Sequence, residues 1–259
     1  MKIVVCVKQV PDSAAKMAVQ DGQVTWGDAP LVLNPWDEYA VESALLLKES
    51  SDGEVIVVTV GEEGTNEALK IALAMGCNHA ILISDSALDE ADSQVIAQVL
   101  ATAIQKIGDV DLVFFGRQAI DGDMGVTSAQ TARILGFPML SLVSVLEGVD
   151  TDAGTIRVER SIEEGRQIVE ADLPVVISVS KDIGEPRYPS FMGIRKASRA
   201  KIPVWSLDDL ELAAPASVVK WPEVHSPVVR EISTTIVEGD NPQEIAEKLV
   251  DKIMEEKVL

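Results

Sequence analysis

The chain has 259 residues and a formal net charge of -20, with 22 basic side chains against 42 acidic ones. That balance excludes a binder of the nucleic-acid backbone, which needs clustered Lys and Arg, and argues against an anionic membrane surface. Two cysteines, Cys6 and Cys77, are too few for a disulfide framework, and no apolar run reaches the roughly 18–20 residues of a membrane span. The opening MKIVVCVKQV lacks the long apolar stretch of a signal peptide, so a cytoplasmic protein is expected. Ile3–Val7, Val55–Val60, Ala80–Ile83, Leu112–Phe115 and Val175–Val179 are short, continuous, β-branched runs, the pattern of strands covered on both faces. Between them, Glu38–Lys48, Thr65–Met75, Asp92–Ile107 and Ser128–Leu135 carry helical periodicity, the last ended by Gly136 and Pro138. This alternation predicts an α/β fold, a doubly wound, mainly parallel, Rossmann-like sheet.

After Pro138 the pattern changes. Val143–Val149 and Thr155–Arg160 alternate around Asp150–Gly154, and Arg166–Glu170 follows, predicting a small antiparallel hairpin insertion over about 139–172. The domain expected over 1–202 then gives way to an arm plus helix over 203–259. Pro203, Pro215, Pro222 and Pro227 mark an extended arm to Val237, of the kind that lies on a partner. The last helix has Asn241 as N-cap, Pro242 in its first turn, Glu244 for a capping box, and Ile245, Leu249 and Ile253 along one face.

No Walker motif, G-x-G-x-x-G, metal-ligand spacing or nucleophile elbow occurs, and the two histidines, His79 and His225, read as structural or surface groups. No catalytic residue and no metal site is therefore expected. The informative stretch is Gly116–Ser128, a glycine-rich loop between an apolar strand and a helix. In a doubly wound sheet such loops lie at the carboxyl ends of the strands, where ligands bind. Gly116, Gly122 and Gly125 let backbone approach a bound group, and Thr127 and Ser128 are N-cap candidates beside free amides that would take a phosphate. An ordinary capped loop would look the same. Lys8–Asp12, Gly61 and Asn34-Pro35 end at the same edge, where Asn34 would either cap a helix or read a base edge.

Several motifs together resemble the beta subunit of electron transfer flavoprotein. They are Val5–Asp12, Asn34–Glu42 with Leu47–Glu49, Ala72–Gly76, Gly116–Asp121, Val158–Arg160 with Gly165, Glu170 and Leu173-Pro174, and Glu185–Pro189 with Ile194, Lys196-Ala197 and Lys201-Ile202. The resemblance covers nearly the whole chain. It implies a heterodimer with an alpha subunit that holds most of the electron-carrying FAD, while this subunit binds AMP. It implies nucleotide contacts at Val7, Asn34 and Val60, and at Gly116, Gln118, Ala119, Gly122, Asp123, Met124, Gly125, Val126 and Thr127. It also implies a partner-recognition loop over about 182–202, with Arg187, Tyr188, Phe191, Met192, Ile194 and Lys196 facing an acyl-CoA or other dehydrogenase. Phe191 stands where the family usually has an aliphatic anchor.

Two further readings stay open. Asp121-Gly122-Asp123 is similar to electron-bifurcating members, in which a second FAD replaces AMP and NADH is oxidised, whereas Thr127 matches the AMP type. A nucleotide-binding regulator similar to universal stress proteins would use the same sheet, without the arm and terminal helix. Independently of the resemblance, Lys181–Lys201 holds six basic residues against Asp182 and Glu185, a local charge of +4 within an acidic chain. Such an island either steers a partner of opposite charge or is simply a solvated face.

Overall fold

The elements in chain order are β1 (Lys2–Cys6), β2 (Gln9–Pro11), β3 (Ala18–Gln20), β4 (Gln23–Thr25), β5 (Leu31–Leu33), α1 (Pro35–Ser51), β6 (Glu54–Val60), α2 (Glu67–Met75) and β7 (His79–Ile83). They continue with α3 (Ser93–Ile107), β8 (Leu112–Gly116), α4 (Thr127–Leu135), β9 (Met139–Asp150), β10 (Thr155–Ile162), β11 (Gly165–Asp172), β12 (Val175–Val179), α5 (Phe191–Ala197), β13 (Val204–Trp205) and α6 (Pro242–Glu255). This computed structural model describes every residue except Thr65, Pro222, Glu223, Pro227, 229–233 and 257–259. The predicted helix start at Thr65 thus lies outside the described residues, as do Pro222 and Pro227 of the arm. The chain divides into two units, Met1–Val224 and His225–Leu259.

Among the described residues, nine strands of the first unit make one sheet in the order β11-β10-β9-β12-β8-β1-β6-β7-β13. The core from β12 to β13 is parallel throughout, and only β9–β10 and β10–β11 pair antiparallel. The fold is therefore the expected mainly parallel α/β sheet, extended by an antiparallel meander. Alternate strand residues explain why the apolar runs are continuous. Ile3, Val5, Val57, Phe114 and Ile177 pack beneath α1 and α2, among Ala40, Ala44, Leu45 and Leu69. Val4, Cys6, Val58, Val113 and Phe115 pack on the other face with Val95, Val99 and Ile104 of α3. Both faces are covered, so the strands do not alternate with polar residues, and only Thr59 and Ser178 are polar and buried in β6 and β12.

With both faces apolar, side-chain pattern alone sets strand register weakly. Polar atoms at the strand ends do the rest. Asp111 Oδ2 accepts from Lys2 N at 2.8 Å, Asn78 Oδ1 from Val55 N at 3.0 Å, and Thr59 Oγ1 donates to Val7 O at 2.7 Å.

Three features differ from the sequence expectation. Helix α1 begins at Pro35 rather than Glu38, because a proline at the first helical position loses no intrahelical bond. The β2–β5 ladder and β3–β4 hairpin occupy the long connection after β1. The arm read from Pro203 starts with a strand: Val204 and Trp205 pair with Leu82 and Ile83, and Leu207 and Leu210 are buried. Lys106 Nζ lies 5.4 Å from the centre of the Trp205 ring.

In the second unit, α6 starts as the sequence predicts. Asn241 Oδ1 accepts from Glu244 N at 3.0 Å, and the Glu244 carboxylate accepts from Asp240 N at 3.0 Å. Among the described residues of α6 none is buried, and Ile245 and Ile253 of its apolar face are half-buried.

Asp92 anchors the end of the first unit. Its Oδ1 caps α3 by accepting from Val95 N at 2.9 Å, while Oδ2 accepts from Val218 N and Val219 N at 2.7 and 2.9 Å. The amides of Val219 and Val95 hold its carboxyl below the usual range. Its contribution is therefore present at neutral pH and is lost as pH falls through that lowered value. Asp92→Ala is expected to lower stability by about 1 kcal/mol, the usual cost of an N-cap, and to speed proteolysis over residues 213–221. Urea denaturation and limited trypsin or elastase digestion read both.

Candidate nucleotide site

The chain runs from β1 outward through β6 and β7, then returns to place β8 on the other side of β1. The switch of direction opens a crevice at the carboxyl ends of β1 and β8, the place where such sheets bind ligands. Val7 follows β1, Val60 ends β6, and Gly116 ends β8. Val7 N donates to Val58 O at 2.9 Å. The sheet thus brings Val7, Val60 and the Gly116 loop to one edge, as the sequence reading requires.

Two polar residues at the start of α1 close the floor of the crevice. Asn34 occupies the N-cap position but does not cap. It is fully buried, and its Nδ2 donates to Gln118 O at 2.8 Å while its Oδ1 accepts from Ile120 N at 3.2 Å. Asn34 therefore does not cap the helix; its amide shapes the loop instead. Asp37, also buried, accepts from Lys8 N at 2.7 Å and from the Gly116 amide. Gly116 has no alternative, since a Cβ would lie 2.4 Å from Asp37 Oδ1 and 2.6 Å from the Trp36 carbonyl oxygen. Lys8 Nζ then pairs with Asp121 Oδ2 at 2.6 Å, tying the loop after β1 to the loop after β8. Arg117 lies over the Trp36 ring, 5.7 Å from its centre.

The rest of the loop is open. Gln118 and Ala119 are half-buried and Gly122–Val126 are exposed. Asp123 N donates to Ala119 O at 2.9 Å, and Gln118 Nε2 to Asp123 Oδ1 at 2.8 Å. Asp123 and Gly125 both sit in the left-handed region, at φ 48 and 63. Helix α4 starts at Thr127, with Val126 in the cap position and no side-chain cap. The expected caps, Thr127 and Ser128, are thus inside the helix; Thr127 O instead accepts from Thr131 Oγ1 at 2.8 Å. Among the described residues no side chain caps α4, which leaves a positive helix end beside an exposed glycine-rich turn. Burial pushes the Cys6 thiol well up and the Cys77 thiol up to about 12, so neither is a nucleophile at neutral pH. Among the described residues no group of three His, Cys, Asp or Glu could hold a metal. A cavity of about 480 Å³ lined by Ile104, Leu135, Phe137 and Pro174 opens at the amino ends of β8 and β12, remote from these loops.

The predicted recognition loop lies elsewhere. Tyr188, Phe191, Met192 and Ile194 are 95, 81, 68 and 53% exposed. Lys196 is also exposed. Arg187 is different, since Glu42 and Glu49 of α1 engage its guanidinium.

The family description "Electron transfer flavoprotein domain" matches residues 24–210. The chain belongs to the electron transfer flavoprotein beta-subunit family. It is 35% identical to the caffeyl-CoA reductase-Etf complex subunit CarD of Acetobacterium woodii, over the whole of both chains. It is 33% identical to the electron transfer flavoprotein subunit beta of Megasphaera elsdenii, again over both whole chains. It is 37% identical to that subunit of Bacillus subtilis over 82% of this chain and 81% of the relative. Among the described residues no helix is long and apolar enough to cross a membrane.

Within this flavoprotein fold, sequence reasoning missed the burial of Asp37 and the pairing of Lys8 with Asp121. Lys8 and Asp121 are 113 positions apart, and no local pattern links them. Asp37 looks like any acid in a first helical turn. Its environment sets it apart: burial pushes its carboxyl up to about 7, although the Lys8 and Gly116 amides pull the other way. Between about pH 4 and 7 the folded state keeps a proton that the unfolded chain has lost. Stability therefore falls as pH rises through that window, by up to about 1.4 kcal/mol per pH unit, and levels off above it. Asp37→Asn should flatten this slope, which urea midpoints at pH 5, 6 and 7 will show. Gly116→Ala should cost about 1–3 kcal/mol by overpacking against fixed backbone, measured by thermal unfolding.

Proposed function

We propose that this chain is the beta subunit of a cytoplasmic heterodimer in which it holds AMP and helps position an FAD held mainly by an alpha subunit. The uncapped start of α4 carries the reading. Its first amides, reached through Gly122–Val126, suit a phosphate without any lysine. Val7 and Val60 would line the adenosine end, and Gln118, Ala119, Asp123, Met124, Gly125 and Thr127 the phosphate end. Asn34 and Gly116 shape the pocket from below. The flavin supplies the redox chemistry, carrying electrons from an acyl-CoA or other dehydrogenase to a downstream acceptor. This chain's residues bind, orient and exclude water, and none needs to act as acid or base. The amphipathic α6, on which Leu249, Val250 and Met254 are exposed, favours a partner subunit.

Asp121-Gly122-Asp123 favours a second reading, in which the AMP half of an FAD fills the same pocket and the complex oxidises NADH while bifurcating electrons. The caffeyl-CoA reductase-Etf relative is compatible with it. A regulator of the universal-stress type has no comparable support.

The experiment is to co-express the chain with its alpha subunit, denature the purified pair and quantify released nucleotides. One AMP with about one FAD per heterodimer is expected. Two FAD and no AMP would install the second reading, and a pair without flavin would overturn both.

A further inference from the structure

The exposed patch Tyr188–Ile194 raises a physical problem. Its helix α5 has seven residues, too short to persist unaided, and the segment before it has no regular structure. Its apolar side chains are largely exposed, so they contribute little to holding it. Three fixings supply the order. Ser190 Oγ accepts from Gly193 N at 3.0 Å and caps α5. Gly193 lies so close to α2 that an added Cβ would meet Ala74 O at 2.1 Å, and Ala197, one turn on, is buried. Both fixings act on α5 itself.

The third acts on the approach to it. Arg187 Nε and Nη2 donate to Glu42 Oε2 and Oε1 at 2.8 and 2.9 Å, a two-pronged pair. Its Nη1 donates to Glu49 Oε1 at 2.5 Å, and its backbone N to Glu42 Oε2 at 3.1 Å. Glu42 and Glu49 are seven residues apart on α1, hence on one face. The Glu42 side chain is only 11% exposed, so this is no ordinary surface ion pair. Arg187 is the member of the predicted recognition set that is already engaged, and Tyr188 beside it is almost wholly exposed.

We propose that Arg187, clamped by Glu42 and Glu49, is a positioning residue: it orders the exposed Tyr188, Phe191, Met192 and Ile194 before a partner arrives. This rests on the docking reading of that loop. Ordering four rotamer-rich side chains at the moment of binding is costly, and prior order removes part of that cost. The patch makes the contact, and Arg187 sets its affinity without touching the partner.

The test uses the complete heterodimer, with a short-chain acyl-CoA dehydrogenase reduced by butyryl-CoA as electron donor. Arg187→Gln with Glu42→Gln breaks the clamp without stranding a buried charge, and Arg187→Lys keeps the charge but loses the fork. Phe191→Ala removes a contact and leaves the clamp intact. In the double variant, amide exchange over 188–197 should rise at least about tenfold and the KM for the heterodimer about tenfold, with kcat within about twofold. Arg187→Lys should fall between, and nucleotide and flavin content should match the wild type. Added to Phe191→Ala, the clamp variants should raise KM less than they do alone, because both act through one patch. If Phe191→Ala raises KM while the clamp variants leave exchange or KM unchanged, the positioning role is overturned and docking stands. Full additivity with Phe191→Ala also overturns it. If Phe191→Ala has no effect, or the wild type is not reduced, the docking reading fails and takes the positioning role with it.

Discussion

The start of α1 is the constraint on which the candidate site depends. Asn34 and Asp37 are polar and buried, and a buried polar group must find partners or destabilise the fold. Each finds them in backbone of other segments: Asn34 in Gln118 and Ile120, Asp37 in Lys8 and Gly116. The loops after β1 and β8 are thereby held to one helix end, and these bonds shape the crevice between them. Gly116 completes the arrangement, because any side chain there would displace Trp36 backbone.

Helix α1 serves two regions with the same logic. Its first turn grips the loops after β1 and β8, and Glu42 and Glu49 further along grip Arg187. Both grips use charged or amide groups against fixed partners, while the surfaces they support, Gly122–Val126 and Tyr188–Ile194, stay open to solvent. Rigid elements carry the exposed, functional loops, and the loops carry little packing of their own.

The parallel core was legible because both faces of each strand are dry. Ile3–Val7, Val55–Val60 and Leu112–Phe115 could not have been surface strands, and the helices between them showed their buried stripes. The β3–β4 hairpin carried a readable signal that went unused: Asp21-Gly22, both at positive φ, is a favoured two-residue hairpin turn. Strand β13 was not readable, since two paired residues among prolines leave no period. Of the candidate site, the glycine-rich loop and its place on the sheet were visible. Asn34 and Lys8 could be placed at the edge, but their partners lie more than 80 positions away, and no local pattern encodes them. Arg187 read as part of a basic island, and only the fold shows that its charge is already matched.

The dry central strands carry a further consequence. A strand apolar on both faces buries nearly the same surface after sliding one residue along its neighbour, so hydrophobic burial tolerates the error. Asp111, Asn78 and Thr59, at the ends of β8, β7 and β6, reject it, since each finds its backbone partner in one alignment only. Damage at these three positions would thus be a fault of fidelity more than of strength. The chain would still collapse, into mispaired sheets that gather with their neighbours, and yield of correctly assembled protein would suffer before any melting temperature did.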